Sequence, residues 1–242
     1  MHFDTIFSMK TKIYFLPGSM CNERLWDRLY AHFDEHYELV HIPIPLEDNF
    51  DAMADALLPC FKEETINLFG FSMGGYLAAF FTVKYPHKVA KLFLAGSAPR
   101  SFPPEEIRKR EEGLNDILNN GFRALSPMRI MSLLDKKNHH NQDLIDIIQT
   151  MYMALGINVL TKQIDAMVKR ENLLIDIAQL SIPITFCYSK EDALISTLWL
   201  KIVSQKSKTA KFIEFEGGSH MLPLEKPLEL SHEIKKWVNA SY

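Results

Sequence analysis

The sequence predicts an α/β protein with a mostly parallel β-sheet flanked by helices. Apolar stretches of strand length alternate with helical stretches at both ends of the chain, which is typical of parallel strands joined by right-handed crossovers. One of these strands, residues 89–95, is almost continuously apolar, as expected where helices cover both faces of a sheet. Residues 99–180 instead contain helical stretches and no convincing strand. We therefore expect a core formed by residues 1–98 and 181–242. Residues 99–180 are expected to form an inserted helical cap, not an independent domain, over the sheet edge where such folds bind ligands.

The core elements follow in a regular order. Strands are predicted at residues 13–16, 37–42, 66–69, 89–95, 182–188 and 211–215. Helices are predicted at about residues 22–33, 51–61, 75–85, 196–207 and 227–238. Pro17-Gly18 is expected to end the first strand, and Pro86 the third helix. Asn22 is the expected N-cap of the first helix.

The cap is predicted to contain four or five helices, and the N-terminus carries little pattern. The cap helices are expected at about residues 105–118, 122–134, 143–155, 159–168 and 173–180. Residues 1–8 show no clear periodicity, and Met9 would serve as a natural beginning, so they are interpreted as an extension.

Composition and charge exclude several classes of function. The net charge of −3 argues against general nucleic-acid binding, which needs a basic face. No apolar stretch approaches the length of a membrane span, and the N-terminus lacks the long apolar core of a signal peptide. The cysteines, Cys21, Cys60 and Cys187, are odd in number and widely spaced, which favours reduced thiols over a disulfide framework or a zinc site. We therefore expect a cytoplasmic protein that binds neither nucleic acid nor membranes.

The strand at residues 66–69 is followed by Gly70-Phe71-Ser72-Met73-Gly74. A serine at a sharp turn from strand to helix is held in a strained conformation with its hydroxyl exposed, and it needs small residues two positions before and after it. The following helix also presents unpaired N–H groups, including that of Met73, to a developing negative charge. Ser72 is therefore the candidate nucleophile.

A serine nucleophile needs a base and an acid that orients the base. Of the nine histidines, His220 follows the last predicted strand, in a loop at the carboxyl edge of the sheet. Asp192 lies just after the preceding strand, with Glu191 as the fallback. The order serine, acid, histidine along the chain is the order found in the parallel-sheet fold that presents a serine on such a turn.

An oxyanion hole needs a second amide from the loop after the first strand. Pro17-Gly18-Ser19-Met20 provides that loop, and Gly18 permits a tight backbone. The backbone amides of Ser19 and Met73 are the predicted donors to the oxyanion.

With these motifs in place, the sequence resembles the α/β-hydrolase superfamily over nearly the whole chain. It is similar in particular to small capped carboxylesterases, such as the pimeloyl-acyl-carrier-protein methyl ester esterases and their menaquinone-pathway relatives. The stretches that carry the resemblance are residues 16–19, 25–26, 70–75, 189–192, 218–220 and 225–227. Two positions depart from it: Pro17 stands where the family usually has histidine, and Ile44-Pro45-Leu46 replaces a Gly-x-Ser segment.

The cap is expected to set substrate choice. The predicted substrate contacts are Met20, Arg100, Met128, Met131 and Met221. Methionines suit adaptable apolar pockets, although most cap methionines are expected to pack between helices. The cap is also locally basic at residues 108–110, 123, 129 and 136–137. A solvated helix face is the simpler interpretation of these charges, and docking of an acidic acyl carrier protein is the alternative hypothesis.

The motifs together predict a serine hydrolase that cleaves a small carboxylic ester or thioester through an acyl-enzyme, without a metal or organic cofactor. Two alternatives stay open. The same triad could act as a base in carbon–carbon bond hydrolysis or in an elimination, with Arg100 binding a substrate carboxylate. The chain could also be a non-catalytic ligand-binding protein that retains the hydrolase fold.

Overall fold

The computed structural model describes residues 10–241, and its centre is one six-stranded sheet in the order β2-β1-β3-β4-β5-β6. All five neighbouring pairs are parallel. The strands are β1 (Thr11–Leu16), β2 (Tyr37–His41), β3 (Ile66–Phe71), β4 (Val89–Ala95), β5 (Ile184–Ser189) and β6 (Ala210–Phe215). The predicted parallel sheet is therefore confirmed. The interpretation of residues 1–8 as an extension lies outside the described residues.

Helices connect the strands and cover both faces of the sheet. In the core they are α1 (Asp27–Tyr30), α2 (Phe50–Leu57), α3 (Met73–Lys84), α8 (Thr197–Lys206), α9 (Leu222–Glu225) and α10 (Pro227–Asn239). Short 3₁₀ turns occupy Glu23–Trp26, Leu58–Cys60, Pro86–Lys88 and Lys136–Asn138. The first helix is shorter than predicted, because the 3₁₀ turn precedes a single α-helical turn. Asn22 is the N-cap residue, as predicted, since its side chain accepts a hydrogen bond from the amide of Arg24.

The core consists of two apolar layers, one on each face of the sheet. Alternate residues of β1 point to opposite faces, as strand geometry requires. Ile13 and Phe15 join the layer covered by α1, α9 and α10. Tyr14 and Leu16 join the layer covered by α2, α3 and α8. Burying each large apolar side chain stabilises the fold by about 1.5–3 kcal/mol.

Between β4 and β5 the chain forms a helical insertion. Its helices are α4 (Pro104–Asn120), α5 (Pro127–Met131), α6 (Gln142–Val168) and α7 (Leu174–Gln179). The long helix α6 is interrupted at Gly156, whose φ of 74° and ψ of −179° are not helical. The interruption explains why two separate helices were predicted there, since glycine reaches positive φ without steric cost.

Helix α6 is also relevant to the expectation that no segment could span a membrane. Within residues 10–241 it is the one helix that is long and apolar enough to do so by length and composition alone. That expectation from the sequence is therefore wrong for this segment. Sufficient length and apolar composition are weak evidence for a membrane span, because core helices of globular proteins share both properties. Side chains of α6 such as Met151 and Ile164 also belong to the two apolar layers of the core.

Candidate active site

Ser72 lies at the turn between β3 and α3 in a strained backbone conformation. Its φ is 53° and its ψ is −115°, a region that residues other than glycine rarely adopt. The turn is tight because its glycines have no room for a side chain. A Cβ on Gly70 would lie 2.4 Å from the carbonyl oxygen of Gly74, and a Cβ on Gly74 would lie 2.3 Å from that of Pro17. The glycine pattern in the sequence therefore reflects a steric requirement that presents the Ser72 hydroxyl.

The structure brings Ser72, His220 and Asp192 together. The Oγ of Ser72 lies 2.9 Å from Nε2 of His220, and Nδ1 of His220 lies 2.8 Å from Oδ2 of Asp192. The Asp192 carboxylate is fully buried and the imidazole nearly so. When the hydroxyl donates to Nε2, Nδ1 carries the proton and donates to the carboxylate. The arrangement can therefore move a proton from the serine to the imidazole while the carboxylate orients the ring.

Asp192, not Glu191, is the acid that contacts the histidine. Its other oxygen, Oδ1, accepts a hydrogen bond from the amide of Leu194 at 2.9 Å. Glu191 instead accepts a hydrogen bond from the hydroxyl of Ser189, the last residue of β5. That hydroxyl also lies 2.7 Å from the carbonyl oxygen of Gly218, so it ties the acid loop to the histidine loop.

The histidine loop is fixed by Glu225, for which the sequence assigned no role. One oxygen of Glu225 accepts a hydrogen bond from the amide of Ser219 at 2.7 Å. The other accepts hydrogen bonds from the amide of Asp135 and from the side chain of Asn138, both in the cap. Glu225 thus joins the loop that carries His220 to the inserted helices.

The loop that carries Ser19 is fixed by a second residue that sequence reasoning missed, Gln163 on α6. Its Oε1 accepts two hydrogen bonds at 2.8 Å, from the Ser19 hydroxyl and from the Met20 amide. Gln163 is only 3% exposed, and Met20 has a φ of 54°. No sequence signal distinguished Gln163, because α6 carries several other polar residues, such as Gln149 and Asn158.

A cavity of about 730 Å³ lies between the cap and the carboxyl edge of the sheet, and the serine and histidine of the triad line it. The predicted contacts Met20, Arg100 and Met221 line this cavity, and so do Ser19 and Met73, the predicted amide donors. Met128 and Met131, also predicted as contacts, are absent from its lining.

The error arises from the orientation of α5. Met128 is 80% exposed, whereas Ile130 is buried in the apolar layer. Arg129 lines the cavity. A helix of five residues carries too little periodicity for its inward face to be predicted.

The basic residues of the cap divide into two groups. Arg108 is exposed and lies 3.7 Å from Glu112 on the outer face of α4, as expected for a solvated helix face. Lys109, Arg110 and Arg129 instead line the cavity. Lys109 and Arg129 are also exposed to solvent, whereas Arg110 is half-buried, so a solvated helix face does not account for Arg110. Arg170, which was not singled out from the sequence, lines it as well.

One group of potential metal ligands occurs among residues 10–241. Asp34, Glu35 and His36 are exposed, and their ligand atoms lie within 4.8 Å of one another. None of the three lines the cavity. Exposed acidic groups of this kind are common without a metal ion, so the group supports no metal centre at the triad.

Comparison with solved structures places the fold among known hydrolases. An esterase from Thermogutta terrifontis with malate bound has a TM-score of 0.83 and 19% identity, over 96% of this chain and 90% of that chain. The enol-lactonase from Burkholderia xenovorans LB400 has a TM-score of 0.82 and 14% identity, over 96% and 92% of the two chains. MenH from S. aureus has a TM-score of 0.75 and 17% identity, over 95% and 94%. At these identities the likeness concerns the fold.

Sequence comparison gives the family. No curated protein sequence matches this chain at a significant level. A family model described as alpha/beta hydrolase fold matches residues 17–227, which include the serine turn, the acid loop and the histidine loop. Both the fold and the matched range agree with the resemblance seen in the motifs, so the chain belongs to the alpha/beta hydrolase fold family.

Proposed function

We propose that this protein is a serine hydrolase that cleaves a carboxylic ester or thioester through an acyl-enzyme intermediate. Ser72 is the nucleophile, His220 the general base and acid, and Asp192 the residue that orients the imidazole. One observation carries the proposal: two hydrogen bonds of 2.9 and 2.8 Å link the three side chains, and the serine lines a cavity of substrate size. Esterases and an enol-lactonase share the fold, which is consistent with ester chemistry.

In the acylation step, Oγ of Ser72 attacks the ester carbonyl carbon while Nε2 of His220 takes the hydroxyl proton. The tetrahedral intermediate collapses, the bond to the alcohol or thiol breaks, and the imidazolium gives its proton to the leaving group. In deacylation, water attacks the acyl-enzyme with the same imidazole as base. The acid is released and the serine hydroxyl is restored.

The negative charge on the carbonyl oxygen needs donors that are already in place. The amides of Ser19 and Met73 are the proposed donors, and both residues line the cavity. The Met73 amide begins α3, so the partial positive charge of the helix N-terminus adds to it. One such donor contributes about 2.7–4 kcal/mol to transition-state stabilisation.

A fluorophosphonate probe and p-nitrophenyl esters test the proposal. We expect the probe to form an adduct on Ser72 and short p-nitrophenyl esters to be hydrolysed. Both should be lost in Ser72→Ala. Ser204→Ala is the matched control, because Ser204 is exposed on α8 and bonds only the carbonyl oxygen of Lys201 among the described residues. A folded wild-type protein that gives neither adduct nor turnover would favour the non-catalytic ligand-binding alternative.

The same triad could act as a base in an elimination or in carbon–carbon bond hydrolysis. The observation that favours this alternative is Arg100, which lines the cavity and could bind a substrate carboxylate. An elimination enzyme should turn over p-nitrophenyl esters poorly, so the p-nitrophenyl ester assay also distinguishes an elimination enzyme from an esterase.

The substrate could be a small-molecule ester or an ester carried on an acyl carrier protein. The hypothesis of an acyl-carrier-protein substrate needs unpaired basic residues on the outer face of the cap. Arg108 is within reach of Glu112 one turn away, which reduces the charge it offers. Arg123, Lys136 and Lys137 are exposed and form no salt bridge among residues 10–241, so a carrier protein would have to dock on them. We propose a small-molecule ester as the simpler substrate, and charge reversal at Lys136 and Lys137 that lowered turnover of an acyl-carrier ester would contradict this choice.

A further inference from the structure

The cavity has an unbalanced charge. Its lining includes five cationic side chains and one carboxylate, that of Glu106. The cationic residues are Arg100, Lys109, Arg110, Arg129 and Arg170. Lys109 and Arg129 are exposed, whereas Arg100, Arg110 and Arg170 are half-buried. The rest of the lining is mostly apolar or uncharged, apart from the catalytic histidine. Positive charges gathered in a partly enclosed space repel one another, so the protein keeps them there at a cost in stability.

Three of the arginines surround one aromatic ring. The guanidinium carbons of Arg170, Arg110 and Arg100 lie 3.5, 4.1 and 6.0 Å from the centre of the Phe102 ring. Stacking on an aromatic face holds a guanidinium while leaving its N–H edge free for an acceptor. Phe102 therefore acts as a platform that gathers the arginines in the cavity.

The available counter-charge is shared and incomplete. Glu106 pairs with Arg110 at 2.8 Å and with Arg100 at 3.5 Å, and Lys109 pairs with Glu105 at 2.8 Å. Within residues 10–241, neither Arg129 nor Arg170 has a carboxylate partner, and the buried Nε of Arg170 has no hydrogen-bond partner. Buried polar groups normally find a partner, so an unpaired guanidinium in a cavity indicates that something else binds there.

The position of Arg170 is fixed before any ligand binds. The backbone of the next residue, Glu171, makes two hydrogen bonds with the hydroxyl of Tyr76 on α3. The Glu171 amide donates to the hydroxyl oxygen at 2.8 Å, and the hydroxyl donates to the Glu171 carbonyl oxygen at 3.0 Å. The side chain of Asn172 then accepts a hydrogen bond from Trp199 at 2.9 Å. Burial lowers the pKa of the Arg170 guanidinium, and the positive charges of neighbouring arginines lower it further. An anion in the cavity would relieve this cost.

We propose that the substrate carries an anionic group, a carboxylate or a phosphate, which the cluster of Arg100, Arg110, Arg129 and Arg170 binds while the ester carbonyl lies at Ser72. The proposal rests on the proposed function and narrows its substrate class. Arginine suits this role because its planar donors match the oxygens of both groups. The anion belongs to the part of the substrate that extends into the cap.

The test compares methyl esters of matched length that end in a carboxylate, a phosphate or a neutral amide, over a series of chain lengths. We expect the wild type to have a higher kcat/KM for a charged ester than for the neutral one. Arg170→Gln should reduce that preference about tenfold to a hundredfold, as expected for lost charge-assisted hydrogen bonds. Circular dichroism of Arg170→Gln should match that of the wild type, which shows that the variant folds.

Arg108→Gln is the matched control, because it removes the same charge from the exposed, paired face of α4 and should leave the preference unchanged. A preference for either charged ester supports the proposal and identifies the group. A second series with the charge on the alcohol shows which side of the ester carries it. Equal kcat/KM for charged and neutral esters in both series, or an unchanged preference in Arg170→Gln, would overturn the proposal.

A binding measurement separates this proposal from the proposed function. If no ester is hydrolysed and Ser72 is not labelled, the hydrolase proposal fails on its own. Calorimetric titration with free dicarboxylates and with alkyl phosphates then tests the anion site without catalysis. Binding by the wild type that is weakened about tenfold or more in Arg170→Gln supports the site, whereas no binding by the wild type overturns it.

Discussion

Gln163 offers the most specific prediction about how the cap supports catalysis. Its side-chain oxygen accepts hydrogen bonds from the Ser19 hydroxyl and the Met20 amide, both at 2.8 Å, and it does not line the cavity. Gln163→Leu removes this acceptor and roughly conserves volume. The Ser19 hydroxyl can rotate toward water in the cavity, but the buried Met20 amide cannot. One unsatisfied buried donor costs about 1–3 kcal/mol.

The variant can bear this cost in two ways. If the loop keeps its position, the free energy of unfolding falls by that amount. If the loop moves so that the Met20 amide finds another acceptor, the Ser19 amide no longer points at the oxyanion. The activation free energy of the reaction then rises. Since each 1.36 kcal/mol is tenfold in rate, we expect kcat to fall about tenfold to a hundredfold. KM should change less than kcat, because an oxyanion donor acts mainly in the transition state.

Steady-state kinetics with a p-nitrophenyl ester and thermal unfolding measure both effects. Gln149→Leu is the matched control. Gln149 lies on the same helix and also makes two hydrogen bonds, with the backbone of Leu125 inside the cap. If Gln163→Leu lowered kcat no more than Gln149→Leu does, the inferred support of the oxyanion loop by the cap would be wrong.

Three further predictions concern the triad, the turn and the pH dependence of stability. Asp192→Asn should lower kcat by about 10⁴-fold while the protein remains folded, since the imidazole would lose its orienting charge; kinetics with circular dichroism would check this, and near-normal turnover would refute the role. Gly74→Ala should abolish activity, because its Cβ would lie 2.3 Å from a backbone oxygen, whereas Gly113→Ala, with nothing within 4 Å, should raise the free energy of unfolding by about 0.5–1 kcal/mol; equal effects on unfolding would contradict the steric argument. A hydrogen bond from Lys12 lowers the pKa of Glu63 from 4.5 to about 2, so its contribution to stability is present above pH 4.5 and is lost as the pH falls toward 2. The free energy of unfolding of Glu63→Gln, measured by urea titration, should therefore depend less on pH in this window, and an unchanged slope would refute the pairing.

The elements that the sequence predicted well are those set by local chemistry. Apolar runs identified the six strands, because both faces of a parallel sheet are covered. The glycines at 70 and 74 identified the serine turn, because a Cβ at either position would collide with backbone. The chain order of Ser72, Asp192 and His220 then placed all three at the carboxyl edge, where the structure brings them together.

The features that sequence reasoning missed depend on contacts between distant segments. Gln163 reaches a loop 144 residues away in sequence, and no local pattern announces that contact. Arg170 lies just past the end of α6, and only the packing of the cap on the core turns it into the cavity. Met128 was predicted to face the substrate, but the rotation of a short helix is set by its tertiary contacts and not by its own periodicity.

The central claim is that Ser72 carries the acyl group between two chemical steps, and intact-mass spectrometry of a rapidly quenched reaction tests it most directly. With a p-nitrophenyl ester in excess, a fraction of the protein should gain the mass of the acyl group within the first turnover. Proteolysis should locate it on the peptide that contains Ser72, and Ser72→Ala should show no gain. Hydrolysis without any acylated protein, or at an unchanged rate in Ser72→Ala, would contradict the account.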